Sequence, residues 1–294
     1  MHPLLVPFAA LALQTPAAEP KLWTPPEVLG VSKPDEWSEI PAEDLLVIDL
    51  ASGSRVVIQL APLFAPVHVA NIRALARADY WQGAKIYRVQ ENYVVQWGNN
   101  ESEKPLPAGV VKTPPAEYYR STEGLRIVRL GSPDSYAPKV GFTGGWPVAF
   151  DPKDATANLP HCYGSVGVGR DLSPDTGMGG ELYAAIGHSP RHLDRNIAVV
   201  GRVISGMEAF SSLTRGTEGL GMIKDPAQHT PIAKVQLAAS MPSAARPRFE
   251  YLKEDSASFA HWLQVKKNRR DAFYIRPAGG VDLCNAPVPV RPKS

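Results

Sequence analysis

Charge of one sign and long apolar runs are both scarce in this 294-residue sequence. Its 31 Lys and Arg residues nearly balance 29 Asp and Glu residues, and the formal net charge is +2. A balance so close to neutral argues against a dedicated nucleic-acid surface, so no nucleic-acid partner is expected. Beyond the N-terminus no apolar stretch reaches the ~20 residues that a membrane-spanning helix needs. Once the apolar N-terminus is removed, no stable membrane insertion of the chain is expected.

The motifs of several common catalytic and cofactor sites are also missing. Residues 164–172 read GSVGVGRDL, which is rich in glycine but lacks the Lys-Ser/Thr pair of a phosphate-binding loop. No nucleophile elbow occurs. His188 and His192 have the spacing of helical metal ligands, but Pro190 lies between them and no third ligand follows at a suitable interval. We therefore expect no cofactor and no metal site.

The first 18 residues have the pattern of a secretory signal peptide. An apolar stretch, Leu4–Leu13, leads into the small residues Ala17 and Ala18. No Lys or Arg precedes the stretch, so an apolar N-terminal arm or a misassigned start codon is the alternative. We expect residues 1–18 to be removed and the mature protein to be periplasmic or secreted.

Proline is abundant, and the 29 prolines disfavour long helices and long central strands. Composition divides the remaining chain into three parts. Residues 19–43, rich in proline and acidic residues, predict an extended arm. Residues 44–240 carry the regular apolar segments and are interrupted at about 99–160 by an insertion rich in Pro and Gly. Residues 241–294 predict a C-terminal extension with one short helix, Ser256–Lys267, capped by Ser256 or Asp255.

Short apolar runs dominate residues 44–240, and the turn residues between them indicate strands. Two helical stripes accompany the strands, near residues 65–79 and 206–215. Many short strands with only two helices predict a mainly β fold, either a closed antiparallel barrel or a sandwich. The predicted strands are Leu45–Leu50, Arg55–Leu60, Lys85–Val89, Tyr93–Trp97, Leu125–Leu130, Tyr163–Val168, Leu182–Ile186, Ile197–Val203 and Ala233–Ala239.

Only two cysteines occur, Cys162 and Cys284. In an oxidising compartment they would pair and tie the C-terminal extension to the β domain. The alternative is two buried free thiols, and the sequence leaves both open.

Residues 86–99, IYRVQENYVVQWGN, resemble the cyclophilin segment in which an arginine is followed by a Pro-Gly-Phe turn and a glutamine. On this resemblance Arg88 stands at the essential arginine of that family and Tyr93 at a pocket phenylalanine. Val94 stands at the pocket methionine, and Gln96 matches the glutamine.

Three further segments resemble cyclophilins in the same order along the chain: PVHVANIRAL, GELYAAIG and HLDRNIAVVGRVISGMEAF. They place Glu181 at a second glutamine and Tyr183 at another pocket phenylalanine. His192 stands at a tryptophan, Leu193 at the pocket leucine, and Ile197 at a position often held by His or Tyr. The resemblance covers roughly residues 44–240 and leaves both ends outside.

The resemblance implies a closed cyclophilin-like barrel capped by two helices, with peptidyl-prolyl cis-trans isomerase activity on X–Pro bonds. Arg88 would weaken the resonance of the prolyl amide, and Gln96 would orient the substrate backbone. An apolar slot for the proline ring would be formed by Tyr93, Val94, Tyr183 and Leu193. From its own context, Gly167 is expected to let a peptide approach the backbone.

Three positions depart from the family pattern. Glu181 places a carboxylate where the family has an amide, and we expect it to pair with Arg88 and lower activity. His192 and Ile197 alter the rim of the site. Two hypotheses follow: an isomerase acting on Pro-containing segments of exported client proteins, or a catalytically weak or inactive module that binds such segments as a chaperone.

Overall fold

The structure is a computed structural model, and it describes residues 21–99, 104–271 and 273–293. Its helices are α1 (Pro25–Gly30), α2 (Pro66–Arg77), α3 (Met207–Ser211) and α4 (Ala257–Lys267). Its strands are β1 (Trp37–Glu39), β2 (Leu45–Leu50), β3 (Arg55–Leu60), β4 (Lys85–Val89), β5 (Val94–Gly98), β6 (Arg120–Ser121), β7 (Val128–Arg129), β8 (Lys139–Thr143), β9 (Trp146–Asp151), β10 (Thr156–Asn158), β11 (Ser165–Val168), β12 (Leu182–Ala185), β13 (Val199–Ser205), β14 (Thr230–Leu237), β15 (Phe249–Leu252) and β16 (Val290–Pro292).

Eight strands close into a barrel in the order β11-β12-β5-β4-β14-β2-β3-β13. Neighbouring strands pair antiparallel throughout, as in the hairpin where Leu46 faces Ile58. Alternate residues such as Ile48 and Val56 point inward and are fully buried in the main core, as the two-residue period of a strand requires. The predicted closed antiparallel barrel is confirmed.

Two helices pack against this barrel, as predicted. Helix α2 begins at Pro66, whose missing N–H costs nothing in the first turn, and buries Val69, Ile72 and Leu75. Helix α3 is shorter than the predicted stripe, and its Phe210 lies 5.2 Å from the ring of Trp97 in the barrel. These contacts fix both helices on the core.

The insertion is more ordered than the sequence predicts. The predicted strand over Leu125–Leu130 is present as the shorter β7, and four strands that were not predicted join it in a second sheet, ordered β6-β10-β9-β8-β7. Its central hairpin turns at Gly144-Gly145, both at positive φ, and buries Phe142 and Val148. Two of the strands that were not predicted, β6 and β10, are only two and three residues long.

The N-terminal arm and the C-terminal extension together build a third sheet, ordered β1-β15-β16. The arm is therefore not simply extended, since it contains α1 and contributes β1. Helix α4 begins as predicted, with the Ser256 hydroxyl accepting the Phe259 N–H at 3.1 Å. Phe259 meets Phe142 edge to face at 5.0 Å, which joins the extension to the insertion sheet.

A disulfide joins Cys162 to Cys284, with Cα atoms 5.1 Å apart. Cys162 lies just before β11, so the bond attaches the C-terminal extension to the barrel.

Within residues 21–99, 104–271 and 273–293, no helix combines the length and apolarity needed to cross a membrane. The predicted signal peptide, residues 1–18, lies outside the described residues.

Candidate active site

Four neighbouring strands place four of the predicted site residues in one row on the outer face of the barrel. The register pairs Arg88 of β4 with Gln96 of β5, Gln96 with Tyr183 of β12, and Tyr183 with Gly167 of β11. Residues that pair across strands lie on the same face of a sheet, so the row follows directly from the strand register.

A β-bulge adds a fifth member to this row. Ile86 pairs with Trp97 and Arg88 pairs with Gln96, so Tyr87 is an extra residue on β4. The bulge lets Tyr87 and Arg88 both contact Gln96 on the outer face, although they are adjacent in sequence. Without the bulge, the alternation of side chains along a strand would place Tyr87 and Arg88 on opposite faces of the sheet.

The Arg88 guanidinium is held by three hydrogen bonds. Nε donates to the Leu220 carbonyl at 2.7 Å, Nη1 to Gln96 Oε1 at 3.0 Å and Nη2 to Gln90 Oε1 at 2.6 Å. A guanidinium has five N–H donors, so these contacts leave one on each terminal nitrogen for another acceptor. Burial lowers the pKa of Arg88, which is the direction expected for a charge in a partly desolvated site.

Tyr93 lies beside this guanidinium, with its ring centroid 5.6 Å from Arg88 Cζ. It follows a tight turn in which the Tyr93 N–H donates to the Gln90 carbonyl, and the Ile186 N–H at the end of β12 donates to the Tyr93 carbonyl. On its other side Tyr93 stacks on His192 at 5.6 Å between ring centroids. His192 therefore contributes to the rim.

The remaining residues of the predicted pocket and rim are Val94, Leu193 and Ile197. Val94 is buried on β5 and pairs with Ala185 of β12. Leu193 and Ile197 are half-buried, Leu193 at the end of a 3₁₀ turn and Ile197 just before β13.

Tyr183 and Gly167 are arranged differently from the prediction. The Tyr183 ring is buried, and its hydroxyl lies 2.8 Å from His161 Nε2. A Cβ on Gly167 would overlap this ring, so Gly167 makes room for Tyr183 and not for a substrate peptide. The space above that glycine is already filled.

Glu181 does not pair with Arg88, and the predicted ion pair is wrong. Its Oε2 accepts the Tyr87 hydroxyl at 2.6 Å, and the backbone N–H of Asn99 donates to the same carboxylate. The carboxylate lies where a Cβ of residue 98 would be, so Gly98 is needed to accommodate it. Burial raises the pKa of Glu181 to about 7.

Four residues that contact the row were not predicted from the sequence: Gln90 and Leu220, which bond to Arg88, and Tyr87 and His161. Tyr87 accepts from Gln96 Nε2 at 2.6 Å, and burial raises its pKa. His161 connects Tyr183 to Asp194, whose Oδ1 lies 3.0 Å from His161 Nδ1. The only signal for Tyr87 was its place next to Arg88, and nothing local to His161 indicates a partner that is distant in sequence.

An open cavity of about 840 Å³ adjoins this row beside Gln96 and Glu181. Charges of both signs line it, contributed by Lys104, Lys112, Arg170, Asp171 and Asp175. In the part of the chain that the structure describes, no cluster of three or more His, Cys, Asp and Glu side chains has the arrangement of a metal site.

Comparison with known proteins agrees with this geometry. The family model "Cyclophilin type peptidyl-prolyl cis-trans isomerase/CLD" matches residues 45–237. A probable peptidyl-prolyl cis-trans isomerase of Brucella suis biovar 1 (strain 1330) is 25% identical over 185 residues, covering 63% of this chain and 79% of the relative. Its counterpart in Brucella abortus (strain 2308) has the same identity and coverage.

Among solved structures, the cyclophilin AquaCyp293 from Hirschia baltica aligns with a TM-score of 0.68 at 22% identity, covering 92% of this chain and 97% of that one. The shared fold therefore extends beyond the barrel into the terminal segments. Since the family model spans more than half of the 294 residues, the chain belongs to the cyclophilin-type peptidyl-prolyl cis-trans isomerases.

Proposed function

We propose that the protein isomerises X–Pro bonds in exported client proteins and that Arg88 is its catalytic residue. The observation that carries this proposal is the guanidinium on the outer barrel face. Three internal hydrogen bonds fix it next to Tyr93, and it retains one N–H on each terminal nitrogen. The group is preorganised and still able to donate.

An X–Pro amide rotates slowly because resonance gives its C–N bond partial double-bond character, with a barrier of ~18–20 kcal/mol. In the twisted transition state this resonance is lost, and the nitrogen regains its lone pair. An N–H aimed at the prolyl nitrogen or the preceding carbonyl stabilises that state more than the planar ground states. No bond is broken, so the reaction needs no nucleophile.

The surroundings of Arg88 suit a peptide substrate. Tyr93 supplies an aromatic surface for the proline ring, while Gln96 offers its amide to the substrate backbone. The adjoining cavity of about 840 Å³ is large enough for the side chains that flank the proline. Its mixed charges favour no single sign, which fits a foldase that meets many sequences.

Two observations support export. Residues 1–18 have the composition of a signal peptide. The Cys162–Cys284 disulfide is the kind of bond that persists in an oxidising compartment such as the periplasm.

The test is a protease-free exchange assay by NMR on an X–Pro peptide, with wild-type protein and Arg88→Ala compared. Catalysis by the wild type and its loss in the variant support the proposal. Peptide binding by the wild type without a rate above the uncatalysed background would contradict it and favour the binding module. Export is tested separately, by fractionating cells that express the full chain and sequencing the N-terminus of the mature protein.

A further inference from the structure

A chain of three hydrogen bonds connects Glu181 to Arg88, and all three run in one direction. Arg88 donates to Gln96 Oε1 at 3.0 Å, and Gln96 Nε2 donates to the Tyr87 hydroxyl at 2.6 Å. The Tyr87 hydroxyl donates in turn to Glu181 Oε2 at 2.6 Å. The chain is continuous because Gln96 accepts through Oε1 and donates through Nε2, and the Tyr87 hydroxyl both accepts and donates.

The direction of this chain decides which end of the Gln96 amide faces Arg88. A phenol has one proton, and an ionised carboxylate only accepts, so the Tyr87 proton is committed to Glu181. The phenolic oxygen must then accept, which draws the NH₂ end of Gln96 toward it. Only in that orientation does the carbonyl end of Gln96 accept from the guanidinium.

We infer that Tyr87 and Glu181 are positioning residues, which act through Gln96 to hold the Arg88 guanidinium in place and do so only while Glu181 is ionised. The inference rests on the proposed isomerase function. It differs from the expectation of a carboxylate that competes for Arg88, because Glu181 is connected to the arginine through Tyr87 and Gln96 and supports it.

Protonation of Glu181 removes the constraint that fixes the direction of these hydrogen bonds. A neutral carboxyl carries its own O–H and no longer requires the Tyr87 proton, so that proton becomes free to turn toward Gln96. When the neutral carboxyl donates its O–H to the Tyr87 oxygen, the Tyr87 proton points to Gln96, whose Oε1 must then face Tyr87; this leaves the Gln96 NH₂ facing the guanidinium, and two donors cannot bond to each other. Arg88 loses one of its three anchors.

The environment of Glu181 places its protonation near neutral pH. Burial raises the pKa of Glu181 to about 7. The described ion pairs include none with Glu181, although charged groups line the neighbouring cavity. Besides Arg88, the titratable or charged groups on the surrounding elements include Tyr80, Tyr87, Lys104, Lys112, Arg170, Asp171 and Asp175, with the ring of His229 6.3 Å from Tyr87.

The first test is kcat/KM against an uncharged X–Pro peptide from about pH 5.5 to about pH 8.5. For the wild type we expect a rise of about three- to tenfold through neutral pH, the equivalent of one hydrogen bond. Tyr87→Phe and Glu181→Gln should both be flat at the lower level. Tyr119→Phe, an exposed tyrosine outside the site, and His229→Gln should keep the step.

The second test reads the chain without turnover. The side-chain amide resonances of Gln96 should titrate in the wild type with the same midpoint as activity, and should not titrate in Tyr87→Phe or Glu181→Gln. If wild type is active, Arg88→Ala is not, and Tyr87→Phe keeps both the full rate and the pH step, the inference is wrong and the proposed function stands. If no protein form is active, the proposed function fails, and the positioning role fails with it whatever the Gln96 resonances show.

Discussion

The hydroxyl of Tyr183 lies 2.8 Å from Nε2 of His161, and the two rings stack with an interplanar angle of 13°. Asp194 accepts from the other ring nitrogen, so Nδ1 carries the proton and Nε2 accepts from the tyrosine. Asp194 is itself fixed by Arg191 Nε at 2.8 Å. A residue at a pocket position is thus anchored from behind by a buried polar network.

Tyr183→Phe should therefore affect stability more than catalysis. The ring remains, but His161 Nε2 is left buried without its donor, which costs about 1–3 kcal/mol of unfolding free energy. Urea denaturation measures this loss, and kcat/KM should change by less than about threefold. Tyr163→Phe is the matched control, because Tyr163 is exposed and its loss should cost less than ~0.5 kcal/mol. An unchanged midpoint in Tyr183→Phe would show that the contact with His161 contributes nothing.

The Cys162–Cys284 bond should stabilise the whole chain. It spans a sequence separation of 122 residues, and closing so long a loop restricts the unfolded state. The double variant Cys162→Ala/Cys284→Ala should lose about 2–5 kcal/mol of unfolding free energy. Reductant should destabilise the wild type by a similar amount and leave the double variant unaffected. A reductant effect on the double variant would point to another cause.

The sequence predicted the barrel well because its strands are short apolar runs and its turns are marked. The same reasoning failed for Tyr87, because a bulge breaks the two-residue alternation and leaves no trace in composition. Gly167 was assigned to substrate because a glycine shows only that something approaches closely, and the structure was needed to show that this is Tyr183.

Long-range partners limited the rest of the prediction. Glu181 was expected to pair with Arg88 because both stand at site positions of the family, whereas its carboxylate bonds, among the described residues, to Tyr87 and the Asn99 backbone. The insertion sheet was missed for a related reason. Strands such as Arg120–Ser121 are too short to show a period, and they are ordered by their partners in the sheet.

Arg88→Ala should reduce kcat/KM by about 10- to 1000-fold, the range for removing one preorganised donor. Arg88→Lys should recover little of this loss. An ammonium is a point charge on a flexible stem and cannot satisfy Leu220, Gln96 and Gln90 together while still donating to substrate. NMR exchange rates on an X–Pro peptide measure both effects. Full activity in Arg88→Lys would show that positive charge alone is sufficient.

Gly98→Ala tests the space beside Gly98 that Glu181 occupies. Because the new methyl group would overlap the carboxylate, the substitution should displace Glu181 toward the cavity and break its bond with Tyr87. We expect the pH step in kcat/KM to disappear, although the substitution leaves the Arg88 side chain chemically unchanged. Gly279→Ala serves as a control for the substitution, since the space around Gly279 is open, although its positive φ makes a small loss of stability expected there. Persistence of the step in Gly98→Ala would mean that the carboxylate keeps its contact.

Glu181 should also make the stability of the protein depend on pH. Its pKa is about 7 in the folded state against an ordinary 4.5, so between these values the folded chain binds more protons than the unfolded chain. Unfolding free energy should therefore fall as pH rises from about 4.5 to about 7, by about 1–3 kcal/mol. Glu181→Gln removes this ionisation, so the variant should gain stability over the wild type at about pH 8 and approach it near pH 4.5. Urea denaturation of both proteins across this range gives the difference directly.

Together with lower activity, greater stability of Glu181→Gln at high pH would show that the ionised carboxylate is kept for catalysis at a cost in stability. Parallel curves for the two proteins would show instead that Glu181 is not desolvated.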